Sequence, residues 1–75
     1  MKDLVEYIVK SIVSEPDKVK VTEENSDQGI LIKLEVSPED KGRVIGRQGR
    51  VAEAIRTLLR VKAARNETRV RLEIL

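Results

Sequence analysis

The central stretch of the chain is Lys41-Gly42-Arg43-Val44-Ile45-Gly46-Arg47-Gln48-Gly49-Arg50. Its ten residues include three glycines and four cations but no acidic side chain. A glycine has no Cβ, so the backbone can approach a ligand closely, and an arginine matches the geometry of a phosphate. The stretch therefore predicts a surface that binds a chain of phosphates.

Helical patterns flank this stretch on both sides. Before it, Ser37 offers a capping hydroxyl, Pro38 suits the first helical position, and two acids follow near the positive end of the helix dipole. A helix of about two turns is predicted here, ending at Gly46, which suits the left-handed conformation of a C-cap. A second helix is predicted over residues 50–65. The turn Gly46–Gly49 should then aim the free N–H groups of the second helix at a ligand.

The second predicted helix carries more apolar surface than one sheet would cover. At about 100° per residue, its apolar side chains span an arc of roughly 200°, about twice what packing on one sheet needs. The excess could wall a groove, meet a second subunit, or reflect a helix packed on two sides. The apolar side chains are those of Val51, Ala52, Ala54, Ile55, Leu58, Leu59, Val61 and Ala63.

The N-terminal segment predicts a helix over residues 3–14, because apolar residues recur there at helical spacing. Asp3 with Glu6 resembles a capping box at its start, and Pro16 discourages helix at the residue before it. Tyr7 is the one aromatic residue and is expected to be half buried on this helix. With a single aromatic side chain, the chain lacks the set of aromatic rings on which RRM and OB domains stack the bases of a nucleic acid.

Three further segments predict strands. Alternating valines predict a short strand over residues 18–22, followed by a loop in the polar run 23–29. The clearest strand is predicted over residues 30–36, and the last over residues 68–75, each with one apolar face. The order α-β-β-α-α-β predicts a two-layer α+β domain, in which three helices cover one face of a three-stranded sheet.

Composition excludes several classes of protein. Seventy-five residues predict one domain over 1–75. The chain has no cysteine and no histidine, and no nucleophile–base pair appears, so we expect no catalytic residue, no metal site and no cofactor. No apolar run is long enough for a bilayer span, and no signal-peptide layout is present, so we expect no membrane partner and a cytoplasmic location.

Charge is distributed unevenly along the chain. Residues 1–40 carry a net charge of −5, whereas residues 41–75 carry +7 and all eight arginines. Such a basic half could be a solubilising surface. Arginine suits phosphate better than lysine does, and the asymmetry therefore favours an anion-binding face.

The segment Val44–Gly49, with Gly42 upstream and Ile55 downstream, resembles the motif of KH domains. The helix-first order resembles the type II, prokaryotic form of that family. The resemblance covers essentially the whole chain. In its length, the chain is similar to the small bacterial KH proteins of the KhpA type. KH domains bind about four nucleotides of single-stranded RNA or DNA, with the loop on the backbone and the bases in an apolar groove.

The resemblance implies a role for each matching position. Lys41 and Arg43 would extend the basic edge of the site. The far wall of the groove would be the last strand, around Val70–Leu72. The implied phosphate contacts are those of Gly46, Arg47, Gln48, Gly49 and Arg50, and the implied groove floor is Gly42, Ile45 and Ala52.

Some of these positions have a second interpretation. Ile45, Ala52 and Val70 would equally suit plain core positions, and Gly42 could merely permit close helix packing.

The resemblance also implies partners and a role. Single-stranded RNA is the expected ligand, bound by an RNA chaperone or post-transcriptional regulator. Proteins of this type pair with themselves or with a larger Jag-type KH protein. Two alternatives remain from the residues alone: a DNA-binding helix-turn-helix, and a protein-interaction module whose loop is vestigial.

Overall fold

The computed structural model describes residues 1–75 and has the predicted α-β-β-α-α-β order. Two short 3-10 turns, Pro16–Lys18 and Arg47–Gly49, connect the main elements. No helix combines the length and the apolar character that a bilayer crossing requires. The main elements are α1 (Lys2–Ile12), β1 (Lys20–Ser26), β2 (Gly29–Glu35), α2 (Pro38–Ile45), α3 (Arg50–Arg65) and β3 (Val70–Ile74).

The three strands form one mixed sheet in the order β1-β2-β3. β1 and β2 are antiparallel and joined by a two-residue turn, since Ser26 pairs with Gly29. β2 and β3 are parallel, with Ile32 opposite Leu72. Parallel neighbours need a crossover connection, and α2 with α3 supplies it. The turn between the two helices therefore lies within this crossover.

The core lies between one face of the sheet and all three helices, as predicted for the α+β class. Each helix contributes buried side chains, and so do β2 and β3, whereas β1 contributes none that is fully buried. Alternate residues of β2 and β3 point inward because side chains in a strand alternate between faces. The core residues are Val5, Val9, Ile32, Leu34, Val44, Ile55, Leu59 and Leu72.

The predicted loop over residues 23–29 is wrong, because β1 continues to Ser26. Its polar residues are accommodated at the edge of the sheet, where they form specific contacts. Lys33 Nζ lies 3.3 Å from Glu24 Oε2 across the strand pair. Glu23 Oε1 accepts a hydrogen bond of 3.0 Å from the N–H of Lys2, which lowers the pKa of Glu23.

The predicted capping box at the start of α1 is also wrong. Met1 occupies the N-cap position without any side-chain hydrogen bond, and Glu23 of β1 bonds the first free N–H of the helix instead. Tyr7 is 74% exposed rather than half buried, since Val5 and Val9 define the buried stripe and Tyr7 lies off it. The spacing of apolar residues along α1 predicts a helix, but it does not show that β1 supplies the cap or how α1 is rotated on the sheet.

Asp40 fastens α2 to the segment that follows α1. Its carboxylate, 1% exposed, accepts hydrogen bonds from the N–H and hydroxyl of Ser14, both at 2.9 Å, and from the N–H of Glu15 at 3.0 Å. The Ser37 hydroxyl donates to the same carboxylate at 3.1 Å, so it does not form the predicted capping bond. These donors, led by the N–H of Ser14, lower the pKa of Asp40 to about 2.

The free energy of unfolding should therefore depend on pH through Asp40. Its pKa is lower in the folded than in the unfolded chain, so its contribution is complete above the ordinary value of 3.8 and is lost as the pH falls toward 2. We expect Asp40→Asn to lower the melting temperature by roughly 5–15 °C at neutral pH. Circular dichroism melts should show this gap to the wild type closing between pH 4 and pH 2. A gap of constant size would contradict the assignment.

Candidate nucleic-acid interface

Gly46 ends α2 as predicted, in a conformation that requires glycine. Its φ is 75° and its ψ is 175°, so the residue is extended with positive φ rather than left-handed helical. A Cβ at this position would lie 2.8 Å from Val51 Cβ and 2.9 Å from Val51 N. Gly46 therefore lets the end of α2 press directly against the first turn of α3.

The next residues reverse the chain through two positive φ values. Gln48 has a φ of 56° and Gly49 a φ of 73°. A Cβ built on Gly49 would meet nothing within 4 Å, so the space in front of this residue is open. The turn thus presents bare backbone to the exterior, as an approaching phosphate chain would need.

The hydrogen bonds of the turn differ from the prediction. The N–H of Gly49 donates to Gly46 O at 3.2 Å, and the N–H of Arg50 donates to Arg47 O. The N–H of Arg50, the first residue of α3, is therefore used inside the 3-10 turn and is not left for a ligand. The donors that remain in the loop are the N–H groups of Arg47 and Gln48, one step earlier than expected.

Four cations surround the turn without acidic partners. Lys41, Arg43, Arg47 and Arg50 are all exposed, and the ion pairs of the structure involve other residues. Arg50 Nη2 donates to Gln48 Oε1 at 3.3 Å, which holds both side chains beside the loop. Uncompensated positive charges on an exposed turn attract anions and are screened by salt.

The implied groove residues differ in how far they are buried. Ala52 is 2% exposed and belongs to the core, so it can only support a groove from below. Ile45 on α2 and Val70 on β3 are half buried, and each offers part of its side chain to the surface. Gly42 is exposed, and a Cβ there would meet nothing within 4 Å, so the alternative role in close helix packing is wrong.

α3 connects the two sides of the candidate interface. Its first turn adjoins the loop, and its flank packs against β3. A crevice of about 270 Å³ lies between α3 and β3, lined by Arg56, Leu59, Arg60, Val70, Arg71 and Leu72. The implied far wall of the groove is thus lined by arginine as well as by apolar side chains.

Arg56 is a further residue at this crevice that the sequence patterns did not indicate. Its Nη2 donates to Leu72 O of β3 at 3.5 Å, across the crevice. The available signal was its spacing, because Arg56 follows Ala52 by four residues and so shares a face of the helix with it.

No group of acidic, histidine or cysteine side chains is placed to hold a metal ion.

The wide apolar arc of α3 is not packed on two sides within this chain. Leu58 is 53% exposed and Val61 is 58% exposed, whereas Ile55 and Leu59 are buried. The two exposed side chains border a shallow depression of about 400 Å³ near the end of α3. The helix therefore has one face in the core and a second, unpartnered apolar face.

Comparison with known proteins gives consistent matches over the whole chain. The model of the KH domain of KhpA/KhpB matches residues 2–74. The RNA-binding protein KhpA of Clostridium acetobutylicum is 49% identical over 75 residues, covering all of both chains. KhpA of Listeria monocytogenes is 48% identical over all of this chain and 99% of its own. KhpA of Borreliella burgdorferi is 48% identical over 97% of this chain and 89% of its own. No solved structure matches significantly.

Proposed function

This chain belongs to the KhpA/KhpB family of KH domains, and we propose that it binds single-stranded RNA through the Gly46–Gly49 loop and the adjoining groove. The observation that carries the proposal is the open turn, which combines bare backbone with four uncompensated cations. The relatives are named RNA-binding proteins, which supports RNA as the ligand.

The loop would hold the sugar-phosphate backbone. Arg47 and Arg50 supply charge-assisted hydrogen bonds, and the N–H groups of Arg47 and Gln48 supply neutral donors. The left-handed bend at Gln48 and Gly49 leaves the space in front of the turn free. Phosphate contacts of this kind position the strand without distinguishing its sequence.

The bases would lie beside the loop on a largely aliphatic surface. Ile45 of α2 and Val70 of β3 expose part of their side chains there, and Ala52 supports them from the core. About four nucleotides carry little sequence information. Such a site suits a cytoplasmic RNA chaperone or post-transcriptional regulator that acts on many transcripts. We propose no cofactor, no membrane partner and no catalytic step.

Binding should prefer single strands and weaken with salt. We expect a single-stranded RNA of mixed sequence to bind better than a DNA duplex of the same length. The log–log salt slope should be about −2 to −3, at about −0.7 for each of three or four phosphates. Fluorescence anisotropy over a salt series measures both quantities. A preference for the duplex would instead support the helix-turn-helix alternative, and absent or salt-independent binding would support the interaction module.

The exposed apolar face of α3 supports pairing with a second KH domain. Leu58 and Val61 are exposed in the second half of α3. If two copies pair with their α3 helices antiparallel, Leu58 of one copy can lie opposite Val61 of the second. The same arrangement turns Glu53, in the first turn of α3, toward Lys62 and Arg65 in the last turn of the second copy. Pairing would also supply a second set of RNA contacts and raise the effective affinity. The alternative to self-pairing is that a larger Jag-type KH protein binds this face of α3.

Self-pairing can be tested by the molar mass in solution. We expect light scattering to give about twice the 8.5 kDa of one chain, and Val61→Glu to give a single chain. Val61 is more than half exposed, so the substitution should leave the fold intact. Tyr7→Glu, on the exposed surface of α1, is the matched control and should keep the higher mass. A monomeric wild type would contradict self-pairing.

A further inference from the structure

The strand β3 presents an unpaired edge to the crevice beside α3. The N–H of Ile30 donates to Arg69 O at 2.8 Å, and the N–H of Leu75 donates to Leu34 O at 2.9 Å. Alternate residues of a parallel pair face the partner strand, so the odd-numbered residues of β3 face β2. Val70 and Leu72 therefore direct their N–H and C=O groups toward the open edge.

Arg56 covers one of these backbone groups. Its Nη2 donates to Leu72 O, so this carbonyl already has a donor, whereas the N–H of Leu72 has no strand partner. Arg56 has no acidic partner. By contrast, Arg60 Nη1 is 3.0 Å from Glu53 Oε1. At this point the Arg56 guanidinium lies over the Leu72 carbonyl, so the groups that face an incoming base are chiefly donors: the N–H of Leu72 and the remaining N–H groups of Arg56.

A run of donors favours particular bases. Guanine presents the adjacent acceptors N7 and O6, whereas adenine presents an acceptor beside the donating N6 amino group. Cytosine also offers two adjacent acceptors, N3 and O2. The adenine amino group would meet the guanidinium, donor against donor, and a buried donor without an acceptor is costly. Without Arg56, the N–H and C=O of Leu72 would instead form a donor–acceptor pair that suits adenine.

We propose that Arg56 determines the base preference of the groove, by covering the Leu72 carbonyl and so favouring cytosine or guanine over adenine beside β3. The inference rests on the proposed function, since it concerns a base held next to the loop-bound backbone. It adds a side chain that reads bases to a site whose other cations contact phosphate. Arg56 acts here through hydrogen-bond direction, and its charge alone would not distinguish the bases.

The test compares RNAs that differ only in about four central bases, either adenine or cytosine, within oligouridine. We expect wild-type protein to bind the cytosine RNA about fivefold or more tightly than the adenine RNA. Arg56→Met keeps an apolar stem over the crevice but removes the donors. This variant should reduce the preference to about twofold or less, chiefly by gaining relative affinity for adenine.

Arg60→Met is the matched control, because it removes the same charge one turn further along α3 without uncovering Leu72 O. It should weaken all the RNAs by a similar factor and keep the preference. The inference is overturned if Arg56→Met keeps the wild-type preference, if Arg60→Met loses it equally, or if the wild type shows none. Failure of the proposed function would look different, since no RNA would then bind the wild type at any composition.

Discussion

The double variant Arg47→Asp with Gln48→Asp should lose binding to single-stranded RNA, by at least about 100-fold, while it remains folded. The two positions change from a net charge of +1 to −2, and both side chains are exposed at the loop. Two carboxylates would then face the phosphates that the loop is proposed to hold. Gln48 has a left-handed backbone, which aspartate tolerates well, so the turn itself should persist.

A variant with the same change in charge separates this local effect from the net charge of the protein. Lys18→Asp with Gln28→Asp alters two exposed positions, one in the 3-10 turn after α1 and one in the β1–β2 turn. It should weaken binding only a few-fold, and only at low salt. Equal losses in the two double variants, or unchanged affinity of the loop variant with a native circular dichroism spectrum, would remove the loop from the proposed site.

Gly46→Ala should be the most destabilising single substitution in the loop, at about 2–4 kcal/mol of unfolding free energy. Two independent causes act together. The combination of φ 75° and ψ 175° is accessible essentially only to glycine, and the added methyl group would overlap with Val51. Denaturant titration measures the loss.

Gly42→Ala is the control for this substitution, because it adds the same methyl group four residues earlier. Gly42 lies inside α2, and nothing approaches the new Cβ within 4 Å. Alanine in a helix interior is favoured over glycine, so this variant should gain about 0.5–1 kcal/mol. Similar losses in the two variants would show that the contact between Gly46 and Val51 is not what holds the turn.

The sequence predicted the elements whose causes are local. The bounds of α3 match the predicted 50–65, and α2 ends at Gly46, because periodicity and a C-cap glycine act within a few residues. The exposed loop cations also lie where the motif placed them. Their contacts with phosphate, which the family resemblance implies, stay a prediction.

Features that depend on contacts between distant segments were not predictable from patterns. β1 continues through a polar run because β2 pairs with it, and Glu23 caps α1 from a strand about twenty residues away. Asp40 lies in the first turn of α2, as predicted, but its bonds to Ser14 and Glu15 across the domain were not predictable. The same holds for Arg56 and Leu72, which meet only once α3 packs on β3.

The end of α3 shows a related limit. The N–H of Thr68 donates to Ala63 O at 2.9 Å, and that of Glu67 donates to Ala64 O at 3.1 Å. This pair of hydrogen bonds defines a Schellman motif. Glu67 has the positive φ of 55° that glycine usually supplies there. The type of this turn was not predictable, because the sequence lacks the glycine that would indicate it.

The most direct test of the proposed site is a titration of ¹⁵N-labelled protein with a short single-stranded RNA, followed by amide chemical shifts. The largest changes should fall on Arg47 and Gln48, whose N–H groups remain free to donate, and should extend to Val70 and Leu72 of β3. Shifts confined to α1 and β1, with the loop amides unmoved at saturating RNA, would contradict the account.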